Sequence, residues 1–203
     1  MKYIVREGQN NNVLVLLHGT GGDAHSLLQL ADYLDPASAK LGIEGDVVEN
    51  GMRRYFKRNP DGSFIVESLQ EATQVLYKTI EQALEENSLS DKNVILVGYS
   101  NGSNIALNLF KEFETDYQAG LLFHPSAVRP GVPFKNQDKL KLLVTSGEND
   151  PYITMEQYQT LIDELDEAGL DYESVVHTSG HSLIEEELQA GKAIIEGLNG
   201  AES

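Results

Sequence analysis

Four apolar residues, Val94 to Val97, run straight into Gly98-Tyr99-Ser100-Asn101-Gly102, and an apolar-faced segment, Ile105 to Phe113, follows at once. This order predicts a buried strand, a sharp turn and a helix, with a serine at the apex. A turn that tight needs small residues on both sides of its apex, because side chains there would collide as strand and helix close together. The glycines of Gly-x-Ser-x-Gly meet that need. The same geometry aims the Ser100 hydroxyl out of the sheet and sets it beside a helix N-terminus, where backbone N–H groups stabilise negative charge.

The rest of the chain is read around that turn. Val13–Leu17 is a continuous apolar run, the mark of a strand covered on both faces, and it ends in His18-Gly19-Thr20-Gly21-Gly22-Asp23. A helix is predicted from near Asp23, with Leu27, Ala31 and Leu34 inward. Tyr3–Arg6 reads as an edge strand, Val47-Val48 as a weaker one, and residues 67–87 as the clearest amphipathic helix. Further strands are predicted at 119–123, 140–145 and 172–177, and helices at 155–168 and from about Ile184, with Gly191 a weak point in the last. Residues 125–139 carry three prolines and read as a loop. Strands alternating with helices predict a mainly parallel α/β sheet with helices on both faces. With no repeat or linker, residues 1–203 read as a single domain without a sizeable cap.

Composition removes several classes of function. The chain has 15 basic and 32 acidic residues, a formal charge of −17, which repels nucleic acid and anionic membranes. It contains no cysteine, so disulfides, thiolate metal sites and a cysteine nucleophile are excluded, and a reducing cytoplasm is the compartment expected. No stretch approaches 18 apolar residues and the first twelve lack an apolar core, so neither a membrane span nor a signal peptide is expected.

In a parallel sheet of this kind ligands bind at the carboxyl ends of the strands, and the chemically interesting loops all fall there. A serine hydroxyl is a weak nucleophile that needs a base, and the base needs an acceptor to fix its tautomer. Of five histidines, His181, in a Gly-His-Ser turn after the last strand, is the preferred base, with His177 the fallback. His18 lies in the glycine-rich loop, His25 in the predicted first helix, and His124 at a strand end where a structural histidine is the commoner reading. Asp150, just beyond the 140–145 strand, is the preferred carboxylate, with Glu148 its rival. The order Ser100, Asp150, His181 is that of α/β-hydrolases. Negative charge developing on an attacked carbonyl oxygen needs N–H donors, assigned to Asn101 and Thr20. The His18–Asp23 loop lacks the glycine spacing and the lysine of a phosphate cradle, and His18, Asp23 and His25 lack metal-ligand spacing, so no cofactor or metal is expected.

Leu17–Asp23, Gly98–Gly102, the Asp150 loop and Gly180-His181 together resemble the α/β-hydrolase superfamily. More narrowly they are similar to small bacterial carboxylesterases of the phospholipase/carboxylesterase branch, related to acyl-protein thioesterases. The segment Gly45–Arg58 also resembles that subgroup, although Arg53 stands where proline is common. The resemblance implies a serine hydrolase of carboxylic esters with Ser100, Asp150 and His181 as triad. A thioesterase or lysophospholipase using the same groups is the alternative, and a non-catalytic binding module a third. The partner expected is a small-molecule ester, with a homodimer left open. Met52, Tyr55 and Phe56 are expected to wall the substrate site. The basic residues Arg53, Arg54, Lys57 and Arg58 either attract an anionic substrate or pair with neighbouring acids.

Overall fold

The computed structural model describes residues 1–201. Residues 202 and 203 of the predicted domain lie outside the described residues. Seven strands form one sheet: β1 (Tyr3–Arg6), β2 (Asn12–Leu17), β3 (Ala39–Ile43), β6 (Asn93–Tyr99), β7 (Ala119–Phe123), β8 (Lys141–Gly147) and β9 (Asp171–His177), in the order β1-β3-β2-β6-β7-β8-β9. β1 pairs antiparallel with β3, and the other pairings in this sheet are parallel. Two short strands, β4 (Val47–Glu49) and β5 (Met52–Arg54), make a separate hairpin, so Val47-Val48 is a strand outside the main sheet.

Among the described residues five helices cover the sheet: α1 (Leu28–Leu34), α2 (Val66–Glu86), α3 (Asn101–Glu112), α4 (Met155–Glu167) and α5 (Glu185–Ala201). Alternation along β2 divides the core. Val13, Val15 and Leu17 face the cluster holding Leu76 and Ile80 of α2, Ile105 and Leu109 of α3, and Leu161 and Leu165 of α4. Leu14 and Leu16 face Ala31 and Leu34 of α1 and Ile194 and Ile195 of α5. This is the α/β arrangement expected, and no described helix is long and apolar enough to cross a membrane.

Local chemistry explains where the sequence reading and the structure part. α1 starts at Leu28, not near Asp23, because the Asp23 carboxylate accepts the His25 N–H at 2.8 Å and closes a turn instead. β3 carries no strand pattern in the sequence, since Lys40 and Gly42 interrupt its apolar run. Lys40 is nonetheless buried, its Nζ donating to the Asp35 and Pro36 carbonyls, and Gly42 leaves room for the Ala24 carbonyl, which would lie 2.0 Å from any Cβ there. Gly191, expected to weaken α5, lets that helix approach the sheet: a Cβ would sit 3.2 Å from both Leu121 and Leu34.

Candidate active site

The serine turn is built by close packing. A Cβ at Gly98 would lie 2.8 Å from the Ser103 nitrogen, and one at Gly102 would lie 2.0 Å from the Leu17 carbonyl oxygen. Ser100 therefore takes φ 52° and ψ −108°, a conformation that costs an L-residue of order 1–3 kcal/mol. Its own N–H donates to the Phe123 carbonyl at 2.9 Å, and its carbonyl accepts the Asn104 N–H at 3.0 Å, beginning α3. The strained serine is pinned from both sides, with its hydroxyl at the carboxyl edge of the sheet.

The His18–Asp23 loop lies beside it. His18 is buried, with Nδ1 donating to the Gly19 carbonyl at 2.8 Å and Nε2 accepting the Gly45 N–H at 3.1 Å. That pairing defines a neutral ring, and burial pushes its pKa down further. Gly21 N–H donates to the Arg53 carbonyl at 2.8 Å, and Arg54 donates to Thr20 Oγ1 at 2.5 Å. The Asn101 side chain accepts the Tyr55 N–H at 2.8 Å, tying the start of α3 to the segment after β5. The backbone N–H groups of Thr20 and Asn101 are donated to no backbone carbonyl outside the helices and strands among the described residues.

Three side chains from three loops then meet. His181 Nε2 lies 3.0 Å from Ser100 Oγ, and His181 Nδ1 lies 2.5 Å from Asp150 Oδ2. The Asp150 carboxylate is fully buried at its side chain, and its other oxygen accepts the Tyr152 N–H at 2.8 Å. Burial alone would raise its pKa, but donation from His181, Tyr152 N–H and His124 outweighs that and holds it below the usual carboxylate range. Tyr99 donates its hydroxyl to the His181 carbonyl at 2.6 Å, and burial with the nearby Asp150 and Glu187 carboxylates pushes that phenol up to about 12. The rivals are elsewhere. Glu148 is exposed and offers its backbone N–H to the His177 carbonyl, while the His177 ring bonds to Glu187 rather than to Ser100.

The pattern defining the phospholipase/carboxylesterase family matches residues 3–199. The chain belongs to that family. MhqD of Bacillus subtilis (strain 168), whose name calls it a hydrolase, is 36% identical over 192 residues, 95% of this chain and 96% of MhqD. The Bacillus cereus carboxylesterase structure superposes with a TM-score of 0.91 at 32% identity, covering 97% of this chain and 94% of that one. YahD, solved with malic acid, superposes at 0.88 with 30% identity over 97% and 98% of the two chains. The chain is thus an α/β-hydrolase of a family with carboxylesterase structural neighbours.

Within this family member the walls of the site differ from those expected. Tyr55 and Phe56 do not line a substrate pocket: they are 1% and 0% exposed. Tyr55 stacks on His18 and donates its hydroxyl to the Ile43 carbonyl at 2.6 Å, while Phe56 packs edge-on against Phe64. Both are apolar residues that the core claims first. Met52 is 46% exposed, with its methyl group 2.7 Å from where a Gly21 Cβ would stand, beside the His18–Asp23 loop. Tyr152, 75% exposed with its ring centre 5.0 Å from that of His181, is a flanking residue the sequence reading missed. The basic stretch is largely paired: Arg54 and Arg58 approach Glu49 at 3.3 and 3.7 Å, and Arg53 reaches Glu44 at 3.9 Å.

A second group lies beneath the first. His124, Glu187 and His177 are all buried, with Glu187 Oε1 2.7 Å from His124 Nε2 and also against His177 Nε2. Two triplets, His124-Asp150-His181 and His124-His177-Glu187, have the donor types and closeness of metal ligands. The tautomers oppose a metal. Ser179 N–H donates to His177 Nδ1 at 2.9 Å, which leaves the ring proton on Nε2, the atom a metal would need bare. His181 Nδ1 in turn faces the Asp150 carboxylate, so its proton also sits where a ligand lone pair would be required.

Proposed function

We propose that the chain is a serine esterase that hydrolyses small carboxylic esters through an acyl-enzyme on Ser100. The observation that carries this reading is the unbroken hydrogen-bonded line Asp150 Oδ2, His181 Nδ1, His181 Nε2, Ser100 Oγ, with distances of 2.5 and 3.0 Å, ending on a strained serine at the sheet edge. His181 Nε2 takes the proton as Ser100 Oγ attacks the ester carbonyl, and Asp150 holds the ring in the tautomer that leaves Nε2 bare. The oxyanion that forms accepts hydrogen bonds from the N–H groups of Asn101 and Thr20, the latter positioned by Arg54 on its hydroxyl and by the Gly21–Arg53 backbone bond. Collapse of the intermediate expels the alcohol, which takes its proton from His181 Nε2. Water then attacks the acyl-enzyme by the same route and frees Ser100.

The acyl group lies between Met52, at the start of β5, and Tyr152, in the loop after β8; both side chains are exposed, which suits short chains better than long buried ones. Turnover of p-nitrophenyl acetate and butyrate by the wild type, with a loss of about 10⁴-fold or more in Ser100→Ala, is the expected result. Fluorophosphonate should label the wild type and not the variant. Turnover by Ser100→Ala at the wild-type rate would remove Ser100 as nucleophile, and failure of both turnover and labelling in the wild type would leave a binding module. A thioester turned over faster than its matched ester would move the assignment to a thioesterase with the same groups.

A further inference from the structure

The buried group behind Asp150 is organised in a way the esterase reading does not use. His124 sits at the end of β7 with φ 53°, its N–H donated to Thr145 Oγ1 at 3.2 Å, and its ring is completely enclosed. Each ring nitrogen faces a carboxylate oxygen: Nδ1 is 3.2 Å from Asp150 Oδ2, and Nε2 is 2.7 Å from Glu187 Oε1. His177 Nε2 also lies 3.2 Å from His124 Nε2. With the His177 proton directed to Glu187 Oε1 and a carboxylate accepting on each side of the His124 ring, both His124 nitrogens donate. We propose that His124 and Glu187 are positioning residues for the reaction: a doubly protonated His124 ring, held by Glu187, donates to the same Asp150 oxygen that receives His181 Nδ1–H.

Every element around His124 fits that reading. From the loop after β8 comes Asp150 and from α5 comes Glu187; the end of β9 brings His177, whose ring centre lies 5.2 Å away. His181, from the loop before α5, lies at the same 5.2 Å, and Tyr99, at the end of β6, at 6.1 Å. His177 adds a second donor to Glu187 Oε1, because Ser179 has taken its Nδ1. Burial would lower the His124 pKa, but Glu187 and Asp150 outweigh it and raise it. Asp150 thus receives two imidazole N–H donors and one backbone N–H, which fixes its rotamer and keeps it anionic. The inference about catalysis rests on the esterase reading, whereas the protonation state of His124 does not.

Two measurements test it. Nitrogen-15 NMR of the ring, in wild type and in Ser100→Ala, is expected to find His124 protonated at both nitrogens at about pH 7.5, above the ordinary histidine range. A singly protonated ring would overturn the proposal, and so would a stoichiometric zinc ion bound on titration with the metal alone. In turnover, the double variant His124→Phe/Glu187→Leu removes both partners and strands no charge, so it is expected to fold. Its kcat should fall about tenfold with KM changed less than about twofold, the signature of a group that acts in the transition state. Glu187→Gln keeps a hydrogen-bonding partner for His124 but not the charge. Its kcat deficit is expected to grow between about pH 6 and pH 8.5 as the ring loses its second proton, while the wild type shows no such ionisation. Wild-type kcat in the double variant, or a deficit in Glu187→Gln independent of pH, would overturn it. A wild type that turns over no ester would sink the esterase reading alone, because the ring's protonation is read without turnover.

Discussion

Two clusters share the Asp150 carboxylate and face opposite ways. Toward solvent, His181 is 18% exposed and makes one bond to a serine in a strained conformation. Toward the interior, His124 and Glu187 are fully enclosed, and each ring nitrogen of His124 faces an acceptor. In the proposed esterase reading the outer cluster is poised: His181 is the base with a bare nitrogen, and the proton it would take belongs to Ser100, a weak nucleophile. The inner one is closed around the His124 ring, and removing either member leaves the other with a single remaining neighbour, Asp150 for His124 or His177 for Glu187. The difference teaches which part of such a site can do chemistry and which can only hold it.

Asp150→Asn breaks the comparison at its shared member. The amide can still donate or accept at both rings but carries no charge, so His181 loses the acceptor that fixes its tautomer. We expect kcat for p-nitrophenyl acetate to fall about 10⁴-fold, the scale seen when a triad carboxylate becomes an amide, with the folded state retained by circular dichroism. A fall no larger than that of the inner double variant would mean that the two clusters are equal supports.

Glu187→Leu acts on the inner cluster alone and is read as stability. It leaves His124 enclosed without one of its two carboxylates and should cost about 3–5 kcal/mol in urea denaturation, the range for one partner removed from a buried pair. The double variant with His124→Phe should recover much of that loss, because no charge is stranded. Equal losses in single and double variants would show that volume, not charge, sets the cost at this position.

How much of this was legible in the sequence depended on whether the residue sat in a local pattern. The turn at Ser100 was readable because Gly98 and Gly102 are spaced by steric need, and both meet backbone atoms that leave no room for a Cβ. The mainly parallel character of the sheet followed from apolar runs alternating with helical periodicity, whereas its strand order carries no local signature. Lys40 hid β3, because no local pattern tells that its ammonium group is satisfied by the carbonyls of Asp35 and Pro36. Tyr55 and Phe56 misled for the reverse reason: an aromatic residue beside a loop reads as a pocket wall unless the core is known to take it. Glu187 is hidden in the run Glu185-Glu186-Glu187, three acids that nothing in the run itself tells apart. A signal was present, since Glu187 shares the helical stripe of Ile184, Gly191 and Ile195, the side that packs inward.

The smallest effect is a pH dependence, and it separates the clusters by sign. The His124 pKa is raised on folding, despite burial, by Glu187 and Asp150. Its contribution to stability is therefore complete below the unfolded value of about 6.5 and is lost as pH rises through the folded value. The Asp150 pKa is depressed by its three donors, again against burial, so its contribution is complete above the unfolded value of about 3.9 and is lost as pH falls through the folded one. Both are at full strength only between roughly pH 4 and pH 6.5. The gap in Tm between the wild type and the His124→Phe/Glu187→Leu variant should be widest there and should narrow as the solution becomes alkaline. Each kcal/mol lost corresponds to about 2–4 °C for a chain of this size, which a scanning calorimeter resolves. A gap that widens toward alkaline pH would mean that the inner ring is neutral in the folded protein, and the contrast between a poised cluster and a charged, closed one would fail at its buried end.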